Sequence, residues 1–188
     1  MKVSLVVVML VSFLSFTGKA QKQPSLPVQQ LPVDSITKLI TYEGVTQTPN
    51  IKADVLYKRA LKWFNSFYKN PTEAIRENDS LKFKIVGKPR FKIYNLPDKE
   101  GTITDGGLIQ YTITVAAKDG RFKYELTEFN WKQQSYYACE RWMDTKSQMY
   151  TPAYAEYLKQ LDQYAKDLIK KLNDAMLHEK PVKDKDNW

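Results

Sequence analysis

Leu108-Ile109-Gln110-Tyr111-Thr112-Ile113-Thr114-Val115-Ala116-Ala117-Lys118-Asp119-Gly120-Arg121-Phe122-Lys123-Tyr124-Glu125-Leu126-Thr127, residues 108–127, alternates apolar and polar side chains on both sides of a tight Lys118-Asp119-Gly120 turn. Successive side chains of a strand point to opposite faces, so Ile109, Tyr111, Ile113, Val115 and Ala117 share one face, with Phe122, Tyr124 and Leu126 as their partner set. Gln110, Thr112, Thr114, Arg121, Lys123, Glu125 and Thr127 take the other. A hairpin with one greasy and one wet face belongs to an antiparallel sheet covered on one side only.

Working outward, Leu81–Tyr94 reads as a long strand that follows a short strand near Glu73–Glu77 and a turn at Asn78-Asp79-Ser80. Leu39–Thr48 reads as a further strand, with Gly44 as a bulge site. Between them Ala53, Leu56, Tyr57, Ala60, Leu61, Phe64 and Tyr68 form one helical stripe, with Asn50 as N-cap and Asn70-Pro71 as the stop. Downstream, Asn130–Tyr150 is irregular and aromatic, and Thr151-Pro152 opens a last helix. Its apolar stripe is Tyr154, Tyr157, Leu158, Leu161, Tyr164, Ala165, Leu168, Leu172 and Ala175, with Asp162–Lys166 and Asp167–Lys171 as outward i,i+4 pairs. The order strand, helix, about four strands, helix predicts an α+β domain, one antiparallel sheet with both helices packed on one face.

The chain has 188 residues, 43% hydrophobic and 13% aromatic, with only 7 Gly and 9 Pro, which excludes collagen-like and low-complexity classes. Met1-Lys2, the apolar run Val3–Phe16 and the small residues Gly18 and Ala20 have the form of a secretory signal peptide, residues 1–20, cut before Gln21. The run is shorter than the ~20 residues that span a bilayer, so no transmembrane anchor is expected after cleavage. No cysteine near the cut offers a lipid anchor, which predicts an exported protein, periplasmic or secreted. Residues 21–36 read as a flexible Gln/Pro-rich lead, 37–177 as a single folded domain, and 178–188 as a charged tail. Cys139 is the sole cysteine, so no internal disulfide forms, and it reads as a small buried hydrophobe.

Three places carry a family likeness: Ile40-Thr41-Tyr42-Glu43-Gly44-Val45, then Leu56-Tyr57-Lys58-Arg59-Ala60-Leu61-Lys62-Trp63-Phe64, and the hairpin Lys118-Asp119-Gly120-Arg121-Phe122. With the element order between them, residues Leu31 to Phe129 resemble the domain-of-unknown-function family 4468. The resemblance implies an exported protein of the Bacteroidota and a TATA-binding-protein-like fold. It carries over no catalytic or ligand residue, since the family's activity is not established. Nor does the fold name imply nucleic acid as a partner: the transcription factor uses two tandem units to wedge aromatic residues into the minor groove, and this chain has one.

Without residues 1–20, 27 basic and 21 acidic residues remain, a net +6. All of it lies in residues 50–100, which hold twelve basic and six acidic residues. Lys82, Lys84, Lys88, Arg90 and Lys92 are all even-numbered, so an unslipped strand aims them to one face, and Arg121 and Lys123 add to it from the hairpin. Gly87 and Pro89 mark where a bulge would split the stripe. This predicts a basic open sheet face that docks an anionic partner, an envelope protein, glycan or anionic surface. The plainer alternative is a solvated face that keeps the sheet soluble. Aromatic side chains for stacking bases are lacking on it.

The single histidine, His178, lies beside the tail, away from any Ser/Asp or Cys partner, and one His with one Cys does not make a usual zinc site. No catalytic set, metal or cofactor is expected. The alternative, an envelope hydrolase or accessory enzyme working with carboxylates, would draw on a pair such as Glu140 with Asp144. Trp131, Tyr136, Tyr137 and Trp142, with Tyr150, form a second candidate site, either an aromatic contact platform or a lid over one end of the core. Asp34-Ser35-Ile36 and Asp79-Ser80-Leu81 look like Asp-Ser-apolar acceptor sites for O-glycosylation in exported Bacteroidota proteins.

Overall fold

The computed structural model describes residues 29–178; the expected signal peptide, the first part of the expected lead and the tail beyond His178 lie outside the described residues. Seven strands form one antiparallel sheet: β1 (Tyr42–Gln47), β2 (Ile75–Asp79), β3 (Lys84–Gly87), β4 (Arg90–Tyr94), β5 (Asp105–Lys118), β6 (Arg121–Lys132) and β7 (Tyr136–Ala138). Helix α1 (Ala53–Phe67) follows β1, the single turn α2 (Pro71–Ala74) precedes β2, and α3 (Ala153–Leu177) closes the chain. The order is β1-β6-β5-β3-β2, with β4 continuing beside β5 and β7 beside β6. The expected α+β fold, one antiparallel sheet with the long helices on a single face, is what forms.

The hairpin faces separate as its alternation predicts. Ile109, Tyr111 and Ile113 are fully buried, and Phe122 and Leu126 oppose Ala117 and Ile113. These side chains meet Leu56, Ala60 and Phe64 of α1 and Leu158, Leu161 and Leu168 of α3 in one core. At its centre the Tyr111 hydroxyl lies 3.0 Å from that of Tyr68 and 3.1 Å from that of Tyr164, so burial costs these polar groups no partner.

Several local expectations shift. Leu81–Phe83 is turn, not strand: Asp79 Oδ1 accepts the N–H groups of Leu81 and Lys82, and Phe83 takes φ +50°. Glu73 falls in α2, because Pro71 starts a helical turn as readily as it stops one. Gly44 is no bulge; β1 and β6 pair without a slip, and a Cβ at Gly44 would lie 2.5 Å from the Tyr124 hydroxyl. Asn50 takes φ +67° and does not cap α1; the Ala53 N–H donates instead to Asp119 Oδ1 at 2.8 Å, from the hairpin turn. The aromatic stretch is less irregular than expected, since β6 runs on to Lys132 and β7 and a 3₁₀ turn (Cys139–Met143) follow.

Asp162 faces inward rather than out, accepting from the Tyr42 hydroxyl at 2.9 Å and from Lys166 at 2.7 Å. Lys171 lies over the Phe67 ring instead of pairing with Asp167. The folded body also starts before residue 37. Leu31 is buried in the core, Val33 bridges Ile40, and the Gln29 amide reaches Asp162. At the far side, the Gln160 carboxamide of α3 accepts from the Tyr94 N–H and donates to the Tyr94 carbonyl, each at 2.9 Å.

Candidate functional site

Gly87 faces Ile113 and Arg90 faces Gln110, three steps along each strand, so β3 and β4 form one strand interrupted at Lys88-Pro89 without a slip. Pro89 has no N–H to give, yet its carbonyl still accepts from the Tyr111 N–H at 3.2 Å, which holds the register. Ile85, Phe91 and Ile93 therefore face the core, while Lys84, Lys88, Arg90 and Lys92 stand together on the open face. Lys82 does not join them. It sits in the turn, 3.4 Å from Asp79.

An acid meets nearly every lysine of this stripe. Lys84 pairs with Glu77 at 3.2 Å, Lys88 with Glu128 at 3.0 Å, Lys92 with Asp105 at 2.8 Å, and Lys123 with Glu43 at 2.6 Å. Hydrogen bonding to Lys92 holds the Asp105 carboxyl below its usual range, and the same bond raises Lys92. Glu43 raises Lys123 likewise. The Thr112 hydroxyl, then Lys88, lower Glu128. The face thus carries six bases (Lys84, Lys88, Arg90, Lys92, Arg121 and Lys123) alternating with Glu43, Glu77, Asp105, Glu125 and Glu128. Composition located the lysines but not their partners, which come from strands that only the folded order makes neighbours.

Glu128 reaches this face through a bulge. Tyr111 of β5 lies opposite two residues of β6, Glu128 and Phe129, and Glu128 takes φ +54°. The extra residue turns Phe129 into the core and the Glu128 carboxylate outward to Lys88 and the Thr112 hydroxyl.

The aromatic segment divides. Trp142 is 2% exposed and stacks on Tyr154 at 5.6 Å, closing one end of the core. Trp131 is half-buried, donates Nε1 to the Gly106 carbonyl at 2.9 Å, and lines a depression of about 700 Å³ with Lys92, Asn95, Asp105 and Tyr157. Tyr136 and Tyr137 on β7 are exposed. The four residues are neighbours in the fold without forming one flat platform.

Of the two carboxylates considered for catalysis, Glu140 accepts the Ile40 N–H at 2.7 Å and Asp144 accepts that of Lys146 at 3.0 Å, so each serves backbone. Cys139 is fully buried, and burial pushes its thiol well up. Both Asp-Ser-apolar motifs sit at turns whose aspartate accepts N–H groups two and three residues on, at Asp34 and at Asp79. Among the described residues no group of three or more His, Cys, Asp or Glu is placed to hold a metal, and no helix is long and apolar enough to cross a membrane.

Residues 42–132, from β1 to the end of β6, match the profile described as a domain of unknown function (DUF4468) with TBP-like fold. Through this segment the chain belongs to the DUF4468 family. The match starts later and ends slightly further on than the likeness between Leu31 and Phe129. The chain shares its fold with the crystal structure of a DUF4468 family protein from Bacteroides ovatus, at 19% identity and a TM-score of 0.63, over 77% of this chain and 90% of that one. A TBP-like protein from Parabacteroides distasonis is similar over 73% of this chain and 92% of its own, at 14% identity and a TM-score of 0.56. Among curated proteins none matches. The DUF4468 segment contains strands β1 to β6 and every ion pair of the open face, but neither β7 nor α3, which packs on the other side.

Proposed function

We propose that this protein is an exported, non-catalytic binding module of the cell envelope, and that the open face of the sheet is its contact surface. Export rests on the form of residues 1–20. The observation that carries the contact surface is the cross-strand network of ion pairs on the face that the helices leave uncovered. Pairing between strands holds long side chains in fixed positions, which lowers the ordering cost when a partner lands. The bases and acids alternate and nearly cancel. Such a face complements an alternating-charge protein surface and discriminates against partners of the wrong charge pattern, whereas a polyanion would meet five carboxylates. We therefore favour an envelope protein over a glycan or an anionic surface.

Capture from native envelope extract with the wild type and with a Lys88→Ala/Arg90→Ala/Lys92→Ala variant tests this. A partner held by the wild type and lost by the variant, with melting unchanged, is the expected outcome. Undiminished capture by the variant removes the sheet face from the reading.

A further inference from the structure

On the side away from the open sheet face, α1 and α3 run antiparallel and their outer flanks enclose a groove of about 880 Å³. Val55, Trp63 and Phe67 of α1 and Ala175 of α3 form its floor. Trp63 and Phe67 stack with ring centroids 4.7 Å apart and planes at 18°, so Trp63, 5% exposed, backs the half-buried Phe67, which presents the apolar surface. Above it stand Lys58, Lys62 and Lys171, and Asp174 is the sole acid in the lining.

Not all of the positive charge at this groove is spent elsewhere. Lys58 pairs with Asp54, and Arg59 donates to the Met176 carbonyl at the end of α3. Lys62 and Lys171 have no acid partner among the described residues, and Lys171 Nζ lies 5.7 Å from the centre of the Phe67 ring. An ammonium held against the floor itself brings an anionic head group and an apolar chain to the same place. From Val55 to Phe67 the floor follows twelve helical steps, about 18 Å at 1.5 Å per residue. The volume is in the range of small-molecule sites, roughly 300–1,000 Å³.

We propose that this groove binds a single-chain anionic amphiphile, a long-chain carboxylate whose alkyl chain lies along Val55, Phe67 and Ala175 and whose head group is held by Lys62 and Lys171. The apolar floor calls for the chain, and the two ammonium groups, which have no acid partner among the described residues, select the sign of the head. The site lies on the other side of the molecule from the sheet surface, and either can fail without the other.

The test is calorimetric titration of the full chain with dodecanoate below its micellar concentration, beside dodecyl maltoside and dodecyltrimethylammonium, which vary only the head. Saturable binding of one dodecanoate is expected, with the neutral and cationic heads at least about tenfold weaker. Lys62→Glu/Lys171→Glu, both at exposed positions, should cut dodecanoate affinity at least about tenfold while melting stays as in the wild type. Ala175→Trp should abolish binding by filling the floor. No binding of dodecanoate, equal binding of all three heads, or binding untouched by both variants would overturn the site. So would binding to phosphatidylglycerol vesicles without binding of free dodecanoate, which would make the groove a membrane contact.

Discussion

Gly107 holds φ at +104°, and a Cβ there would lie 2.7 Å from Trp131 Nε1, the atom that donates to the Gly106 carbonyl. Two constraints meet in one residue: a backbone angle that side chains rarely adopt and an indole nitrogen already tied to the neighbouring carbonyl. Gly107→Ala should destabilise the protein by about 1–3 kcal/mol, read from urea unfolding, and shift tryptophan emission to the red as Trp131 loses its bond. An unchanged emission would mean that the indole is not held there. The Asp119 carboxylate is the opposite kind of residue, one whose local role was legible and whose remote role was not. Its place in a Lys-Asp-Gly turn follows from neighbours in sequence. Its cap on Ala53 joins positions 66 apart, and no local pattern encodes that.

The long strands were legible because a period of two survives any uncertainty about their partners, and the β3–β4 stripe kept its parity through Pro89. What defeats such reading is a change of parity inside a strand. Up to Thr127 the core residues of β6 are even-numbered, and beyond Glu128 they are odd, so Phe129 and Trp131 face inward only because one residue is extra. Deleting Glu128 removes the extra residue and leaves Tyr111 opposite Phe129 alone, so Phe129 should stay inward and thermal unfolding stay cooperative, while Lys88 and the Thr112 hydroxyl lose their acid. Glu128→Gly keeps the bulge, suits its φ of +54°, and should retain a cooperative transition. If the deletion abolishes the cooperative transition, the bulge itself, and not only the parity it restores, is required by the sheet. The same device explains why Glu128 did not figure in the sequence reading of the open face: counted by parity, it belongs to the core.

Across the whole molecule, titration should bound stability on two sides. Asp34, Asp79, Asp105, Asp119 and Glu128 are each held below their ordinary values, mainly by hydrogen bonds to backbone N–H groups, lysines or a threonine hydroxyl. Groups of this kind stabilise the fold above their unfolded pKa, near 4, and withdraw that stabilisation as pH falls through the lower folded values. Burial raises Tyr68, Tyr111 and Tyr164. Their protons are held more tightly in the folded state, so stability should decline above about pH 10, where the unfolded chain ionises. Urea midpoints across pH should form a plateau with both limbs, and Tyr111→Phe should flatten the alkaline one; an alkaline limb unchanged by that variant would place its origin outside the tyrosine trio. The architecture itself was legible from element order, while the turning of charges into pairs was not, because it depends on which strands lie side by side. One bond pair reaches further than the fold it belongs to. The Gln160 carboxamide satisfies both backbone groups of Tyr94, as an adjoining strand would, at a stretch where β2 does not reach. A single side chain thereby occupies the place where the backbone of another molecule would add on, and guards this rim against edge-to-edge aggregation.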